Sequence, residues 1–127
     1  MKSLDTLIRL QKWQLDEKRR QLGDLRRMHA DLGASIARLD EDIANEAALA
    51  RRDASLGATF GAFAQAAAER KQKLVGSLRE VESQMALVEG EIAEILAAEE
   101  DRLAREVTTV INRATRWLQQ ELRRRVR

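Results

Sequence analysis

The side chains that commonly act in catalysis are few in this chain and are not grouped. It has one histidine, His29, and no cysteine or tyrosine. His29 stands in a regularly spaced row of mostly apolar residues. A lone histidine has no neighbouring ligands with which to hold a metal, and no partner with which to activate a nucleophile. We therefore interpret His29 as a polar residue tolerated between helices, not as a base or a metal ligand.

The carboxylates and glycines form no pattern typical of an active site. Adjacent acids such as Glu99 and Glu100 point in different directions on a helix. Gly57 and Gly61 do not match a phosphate-binding loop. The sequence therefore predicts a protein that is not an enzyme, with no catalytic residue, no metal site and no cofactor.

Charge is unevenly distributed, although the net charge is only +2. Residues 102–127 carry eight arginines against two acids, and positions 89–101 before them carry six acids without a base. Such asymmetry usually marks an interaction end. The basic run at 123–127 has no interleaved aromatic side chains and belongs to no known nucleic-acid module, so no nucleic-acid partner is expected. A solvated tail and an acidic protein surface remain as interpretations of this run.

Two rows of mostly apolar residues, each with a spacing of seven, run through the first 50 positions. Their average period of 3.5 residues is typical of a coiled-coil helix, and the chain contains no proline to interrupt it. We therefore predict a helix from about residue 3 to about residue 52. One row contains Ile8, Leu15, Leu22, His29, Ile36, Ile43 and Ala50; the other contains Leu4, Gln11, Lys18, Leu25, Leu32, Leu39 and Glu46.

A turn is predicted at about 53–58, where glycines and capping residues accumulate. A second helix should then run from about 59 to about 124. Because the turn is short, the two helices must be antiparallel neighbours. The predicted fold is all-α: a single domain, residues 1–127, that forms a long antiparallel two-helix coiled-coil hairpin. The predicted inward row of the second helix is Phe60, Ala64, Ala67, Lys71, Leu74, Leu78, Val81, Met85, Val88, Ile92 and Ile95.

The second helix is longer than the first, so the hairpin should end in a C-terminal helical overhang. Leu4 is expected beside about Val107, and residues from about 109 onward should extend past the first helix. From Leu96 the apolar row changes register, as if four residues had been inserted. The overhang keeps an apolar stripe without intramolecular cover, which implies contact with another chain.

Helix one also carries apolar residues outside its inward rows near its start, which is typical of a helix end surrounded by protein. The end that holds both termini is therefore predicted to bind a partner, although ordinary helix packing is the alternative for both tryptophans. The predicted contact residues are Leu7, Leu10, Trp13, Val110, Ile111, Trp117, Leu118, Arg123, Arg124 and Arg125.

At the opposite end, small alanine side chains surround the turn, and Phe60 and Phe63 lie three residues apart. They either cap the core of the hairpin or contact a second partner. The N-terminus has no signal-peptide core, and no apolar run approaches the length of a membrane span. We therefore expect a cytoplasmic protein without a transmembrane segment.

The opening segment, residues 2–20, resembles the first helix of the FliJ family of the bacterial flagellar type III export apparatus. The size of the chain, its helical hairpin and its glycine-containing turn agree with this resemblance. It implies a stalk-like coiled coil whose terminal end docks in the ring of the export ATPase and promotes assembly of the ring. It also implies that the turn end meets the cytoplasmic domain of the export gate, with Phe63 as the best match to an aromatic contact residue. Export chaperones are a further implied partner, and the implied location is the inner face of the cell membrane.

Two other interpretations remain open. One is a structural adaptor or scaffold coiled coil unrelated to export, which as a homodimer would cover the same apolar stripe by pairing of two overhangs. A nucleic-acid-binding helical hairpin rests only on the arginine tail, and its binding would depend steeply on salt.

Overall fold

The computed structural model describes residues 2–126, which form two long helices joined by a tight turn. Helix α1 spans Lys2–Arg52, a 3-10 turn spans Ala54–Leu56, and helix α2 spans Gly57–Val126. The described residues contain no strand. The helices pack against each other as an antiparallel hairpin, which confirms the predicted all-α fold class.

The connection between the helices is held by one acidic side chain. Asp53 has an extended backbone, and its carboxylate accepts hydrogen bonds from the Ser55 amide at 3.0 Å and the Ser55 hydroxyl at 2.7 Å. These two bonds hold the pKa of Asp53 below its ordinary value. Gly57 has helical dihedral angles, so α2 begins there, two residues before the position expected from the sequence.

The chain divides into two compact units. The turn unit is residues 18–89, and the terminal unit is residues 2–17 with 90–126 in the described part of the chain. Each unit contains a segment of both helices. The contacts between the helices differ in character from one unit to the other.

The turn unit has the apolar packing that the heptads predict. Its most buried side chains are Leu22, Ala67, Val81 and Val88. The other inward positions of both helices are half-buried, with one exception: Glu46 is exposed and the neighbouring Ala47 is half-buried instead. Lys71 contacts Asp40, and Glu82, further along α2, contacts His29, earlier in α1, as antiparallel order requires.

The terminal unit has a more polar contact between its helix segments. Leu15 is its one buried residue within the described positions. The half-buried row of α2 continues as Ile92, Ile95, Glu99, Arg102 and Glu106. The register change at Leu96 therefore does not supply a new apolar row to α1. Leu96 follows Ile95 by one residue, which is about 100° of rotation around the helix, so the displaced row points away from α1.

No helix in the described part of the chain combines the length and the apolar character needed to cross a bilayer.

Candidate partner-binding surface

The α2 segment of the terminal unit exposes a continuous row of large apolar side chains. At about 100° per residue these side chains fall within about 140° of the helix circumference. Their exposed fractions lie between 38% and 63%. We call this surface the α2 stripe, and it consists of Leu96, Leu103, Val107, Val110, Ile111, Trp117, Leu118 and Leu122.

The face opposite the α2 stripe is polar and basic. It carries Arg105, Asn112, Arg116, Gln119 and Arg123, all of which are exposed. Arg105 forms an i,i+4 ion pair with Asp101 at 3.0 Å, an exposed contact of small energetic value. The segment is therefore an amphipathic helix with a basic polar face.

The backbone of this segment is helical throughout, to Val126. Three threonines, Thr108, Thr109 and Thr115, donate their hydroxyl protons to the carbonyl four residues earlier, each at 2.9 Å. Their polar groups are thus satisfied within the helix and need no partner. The apolar side of the segment, in contrast, is not covered by the described residues of the chain.

Exposure of these apolar side chains to water is unfavourable in free energy. Full burial of a Leu, Val or Ile side chain is worth roughly 1.5–3 kcal/mol, so covering the exposed half of one gains about 1 kcal/mol. Eight side chains of this size on one face form a patch of a kind that monomeric proteins seldom expose without using it for binding. The α2 stripe is the strongest candidate functional surface in the described residues.

The first turns of α1 add a second group of exposed apolar side chains to the terminal unit. Leu7, Leu10 and Trp13 are between 44% and 62% exposed, and Ile8, predicted to face α2, is 39% exposed. The three arginines at 123–125 are exposed as well. The structure thus places all ten predicted contact residues of this end at exposed positions of the terminal unit.

The inward side of the same unit contains polar groups, of which the heptad rows predicted Gln11 but not Arg102 or Glu106. Arg102 donates from Nη1 to Oε1 of Gln11 at 2.6 Å. Nε of Arg102 and Oε1 of Glu106 are buried and have no hydrogen-bond partner. A buried polar atom without a partner costs about 1–3 kcal/mol, so this helix contact is weak. Extending the seven-residue spacing of α2 from Val88 through Ile95 places position 102 on the side that faces α1, and this spacing was the signal by which Arg102 could have been identified.

Two polar contacts join the helices of the turn unit. Nε2 of His29 lies 3.2 Å from Oε1 of Glu82, and Nζ of Lys71 lies 2.7 Å from Oδ1 of Asp40. All four side chains are between 40% and 53% exposed. Within residues 2–126 no group of three or more His, Asp or Glu side chains is placed to hold a metal ion. The His29–Glu82 contact joins α1 to α2.

The aromatic side chains near the turn are half-buried. Phe63 lines a shallow surface groove together with Leu39, Ala67 and Leu74, and charged side chains of Arg38, Asp42 and Arg70 surround it. Phe63 thus contributes to the packing of the hairpin and also presents part of its ring at the surface. The two interpretations made from the sequence, core cap and partner contact, are compatible in this arrangement.

Comparison of the chain with protein family models, with curated proteins and with solved structures finds no match in any of the three.

Proposed function

We propose that this chain is a non-enzymatic, stalk-like component of the bacterial flagellar type III export apparatus. Its terminal unit docks in the ring of the export ATPase and promotes the assembly or activity of that ring. Its turn end contacts the cytoplasmic domain of the export gate, and export chaperones are a further class of partner. Its proposed location is the cytoplasm, at the inner face of the cell membrane through these partners.

The observation that carries the proposal is the uncovered α2 stripe together with exposed arginines at the same end. An amphipathic helix of this kind is suited to insertion between protein surfaces, where its apolar face is covered and its guanidinium groups meet acidic side chains. Residues 2–20, which resemble the opening helix of the FliJ family, supply Leu7, Leu10 and Trp13 to the same unit.

In the proposal, docking organises the ATPase subunits, and this chain does not hydrolyse nucleotide itself. Phe63 has the second role, at the gate, because its ring remains partly accessible while its backbone is fixed by the packing of α2.

The test is the ATPase activity of the cognate flagellar export ATPase at physiological salt, with and without this protein. We expect stimulation by the full chain and none by a chain truncated after Val107. Val110→Glu should also abolish stimulation, because it places a charge on the α2 stripe. Asn112→Glu adds the same charge two residues away on the polar face and should stimulate normally.

Failure of the full chain to stimulate or bind the ATPase overturns the proposal and favours a structural adaptor. Stimulation that survives Val110→Glu overturns the role of the α2 stripe. The gate contact is tested separately by binding of the cytoplasmic gate domain to Phe63→Ala and to Phe60→Ala, since both side chains are proposed gate contacts. We expect the larger loss of affinity for Phe63→Ala.

A further inference from the structure

We infer that a second copy of this chain covers the α2 stripe when no other partner is bound, with the two α2 segments antiparallel. This inference concerns the free protein and does not depend on the proposed role in export.

The spacing of the α2 stripe is that of a coiled-coil contact surface. Leu96, Leu103, Val110 and Trp117 are spaced by seven residues, and Val107 and Ala114 form a second row offset by four. Rows with this spacing form the contact surface of a coiled coil, so their best cover is another helix with the same spacing. In the terminal unit α1 does not provide that cover, because it faces the row of Glu99, Arg102 and Glu106.

The α2 stripe has room for a further helix beside α1. The middle of the α2 stripe lies about a quarter of the helix circumference from the side that contacts α1. A further helix can therefore lie on the stripe without displacing α1. From residue 107 to residue 120 every side chain is exposed, so this part of the stripe is accessible along its length.

The charges along one border of the α2 stripe set the direction of the pair. Glu99 and Glu106 precede the centre of the stripe on this border, and Arg113 and Arg124 follow it. Two parallel copies would place like charges side by side. Antiparallel copies that align Val107 with Val110 of the other copy bring Arg113 beside Glu106 of the other copy. Basic then meets acidic twice, once on each side of the two-fold axis, as an isologous contact requires.

Acidic side chains within the α2 stripe argue against a lipid bilayer as the occupant. Glu100 and Glu121 lie within the arc of the stripe, and carboxylates in the apolar part of a membrane are costly. In the antiparallel pair these positions lie near the ends of the stripe, where carboxylates reach water or arginine.

The first experiment is sedimentation equilibrium of the full chain, without any partner, at increasing concentration into the micromolar range and beyond. We expect the mass to rise from that of the 14.4 kDa monomer to that of a dimer. Val110→Glu should remain monomeric at concentrations where Asn112→Glu is dimeric. Circular dichroism of both variants shows whether the helices are intact, and Trp117→Ala provides a second variant without added charge, with a dissociation constant raised at least tenfold.

The second experiment measures direction. The chain has no cysteine, so Val126→Cys gives one spin label per copy. At a rise of 1.5 Å per residue, an antiparallel pair centred near residue 108 separates the two labels by about 50 Å, whereas a parallel pair keeps them within about 10–20 Å. The long distance supports the inference, and the short distance overturns it.

A chain that stays monomeric at all concentrations also overturns the inference. So does a monomer that floats with vesicles containing anionic phospholipid and loses this binding with Val110→Glu, since lipid would then be the occupant. Neither result bears on ATPase stimulation, and a dimer that fails to stimulate the ATPase would overturn the proposed function alone.

Discussion

The turn unit and the terminal unit are built from the same two helices, yet they distribute apolar side chains in opposite ways. The turn unit places Leu22 and Val81 between the helices, at 7% and 6% exposure. The terminal unit places Arg102 and Glu106 there and leaves Val110 and Trp117 in water. Helix formation by itself is thus separable from helix pairing: a sequence rich in Ala, Leu, Glu and Arg forms a helix in both units, but only the turn unit uses its apolar side to hold the hairpin together.

This difference suggests that the two units have different roles. The turn unit supplies the free energy that keeps α1 and α2 together, and the terminal unit retains its apolar surface for intermolecular contacts. Four predictions test the comparison, in order of decreasing effect.

Leu22→Ala should destabilise the protein by about 2–3 kcal/mol, near the lower end of the range for buried leucines because a two-helix contact can partly collapse. Leu118→Ala makes the same chemical change in the α2 stripe, where the side chain is exposed, and should cost less than about 0.5 kcal/mol. The measurement is urea denaturation followed by helical circular dichroism, at a concentration where the chain is monomeric. Equal losses for the two variants would contradict the comparison.

The double variant Gln11→Leu/Arg102→Leu should stabilise the protein by about 1–2 kcal/mol. It removes a partly buried polar contact with an unpartnered Nε and replaces it with apolar contact between the helices. Arg113→Leu, an exposed change outside this contact, is the control and should have little effect. The same denaturation measurement applies, and a destabilised double variant would show that the Gln11–Arg102 bond is worth more than its burial costs.

Gly33→Ala and Gly76→Ala should each stabilise the turn unit by about 0.5–1 kcal/mol. A Cβ at either position meets no atom within 4 Å, so the lower backbone entropy of alanine in the unfolded chain is gained without a clash. Gly90→Ala, equally unobstructed, lies in the terminal unit. If that unit opens before global unfolding, Gly90→Ala will change the thermal midpoint less than the other two variants, and an equal shift for all three would argue for a single cooperative unit.

Asp53→Ala should have the smallest effect, a slight lowering of the thermal midpoint through loss of the two bonds to Ser55. Because folding lowers the pKa of Asp53, its contribution is present above the unfolded value of about 3.8 and is lost as pH falls through the folded value. The difference between wild type and Asp53→Ala should therefore disappear in acid. Thermal scans at neutral pH and below pH 3 measure it, and a pH-independent difference would mean that the bonds to Ser55 are not its cause.

Much of the fold follows from spacing alone. The heptad rows of α1 correctly identify Leu15 and Leu22 as buried and His29 as half-buried, because a 3.5-residue period leaves little choice of which side faces the partner helix. The prediction was wrong at Ile8 and Glu46, both exposed. For Glu46, desolvation of a carboxylate outweighs the preference of the heptad, and Ala47 takes its place.

The terminal unit was harder to predict because its outcome depends on a competition between two rows of α2. The apolar row starting at Leu96 and the charged row containing Arg102 are both continuous on the helix, and α1 can contact only one of them. Which row faces α1 is decided by the packing of the neighbouring turns, which is a non-local property. Exposure of the predicted contact residues could be anticipated because they lie outside the rows of α1 or beyond its end, whereas their partner cannot be read from periodicity.

The sequence separation of the contacts between the helices has a consequence for the order in which the hairpin assembles. The Lys71–Asp40 contact closes a span of 31 residues, and the Arg102–Gln11 contact closes a span of 91. Closing the longer loop from the unfolded chain costs about 1 kcal/mol more in chain entropy, but it costs little once the turn-proximal contacts exist. The contacts between the helices therefore form first near Asp53 and then progressively further from the turn. Amide hydrogen exchange should be slowest beside Leu22 and Val81 and fastest toward both chain ends. A partner would then meet an end of the hairpin that opens readily, and its binding would slow exchange most where exchange is otherwise fastest.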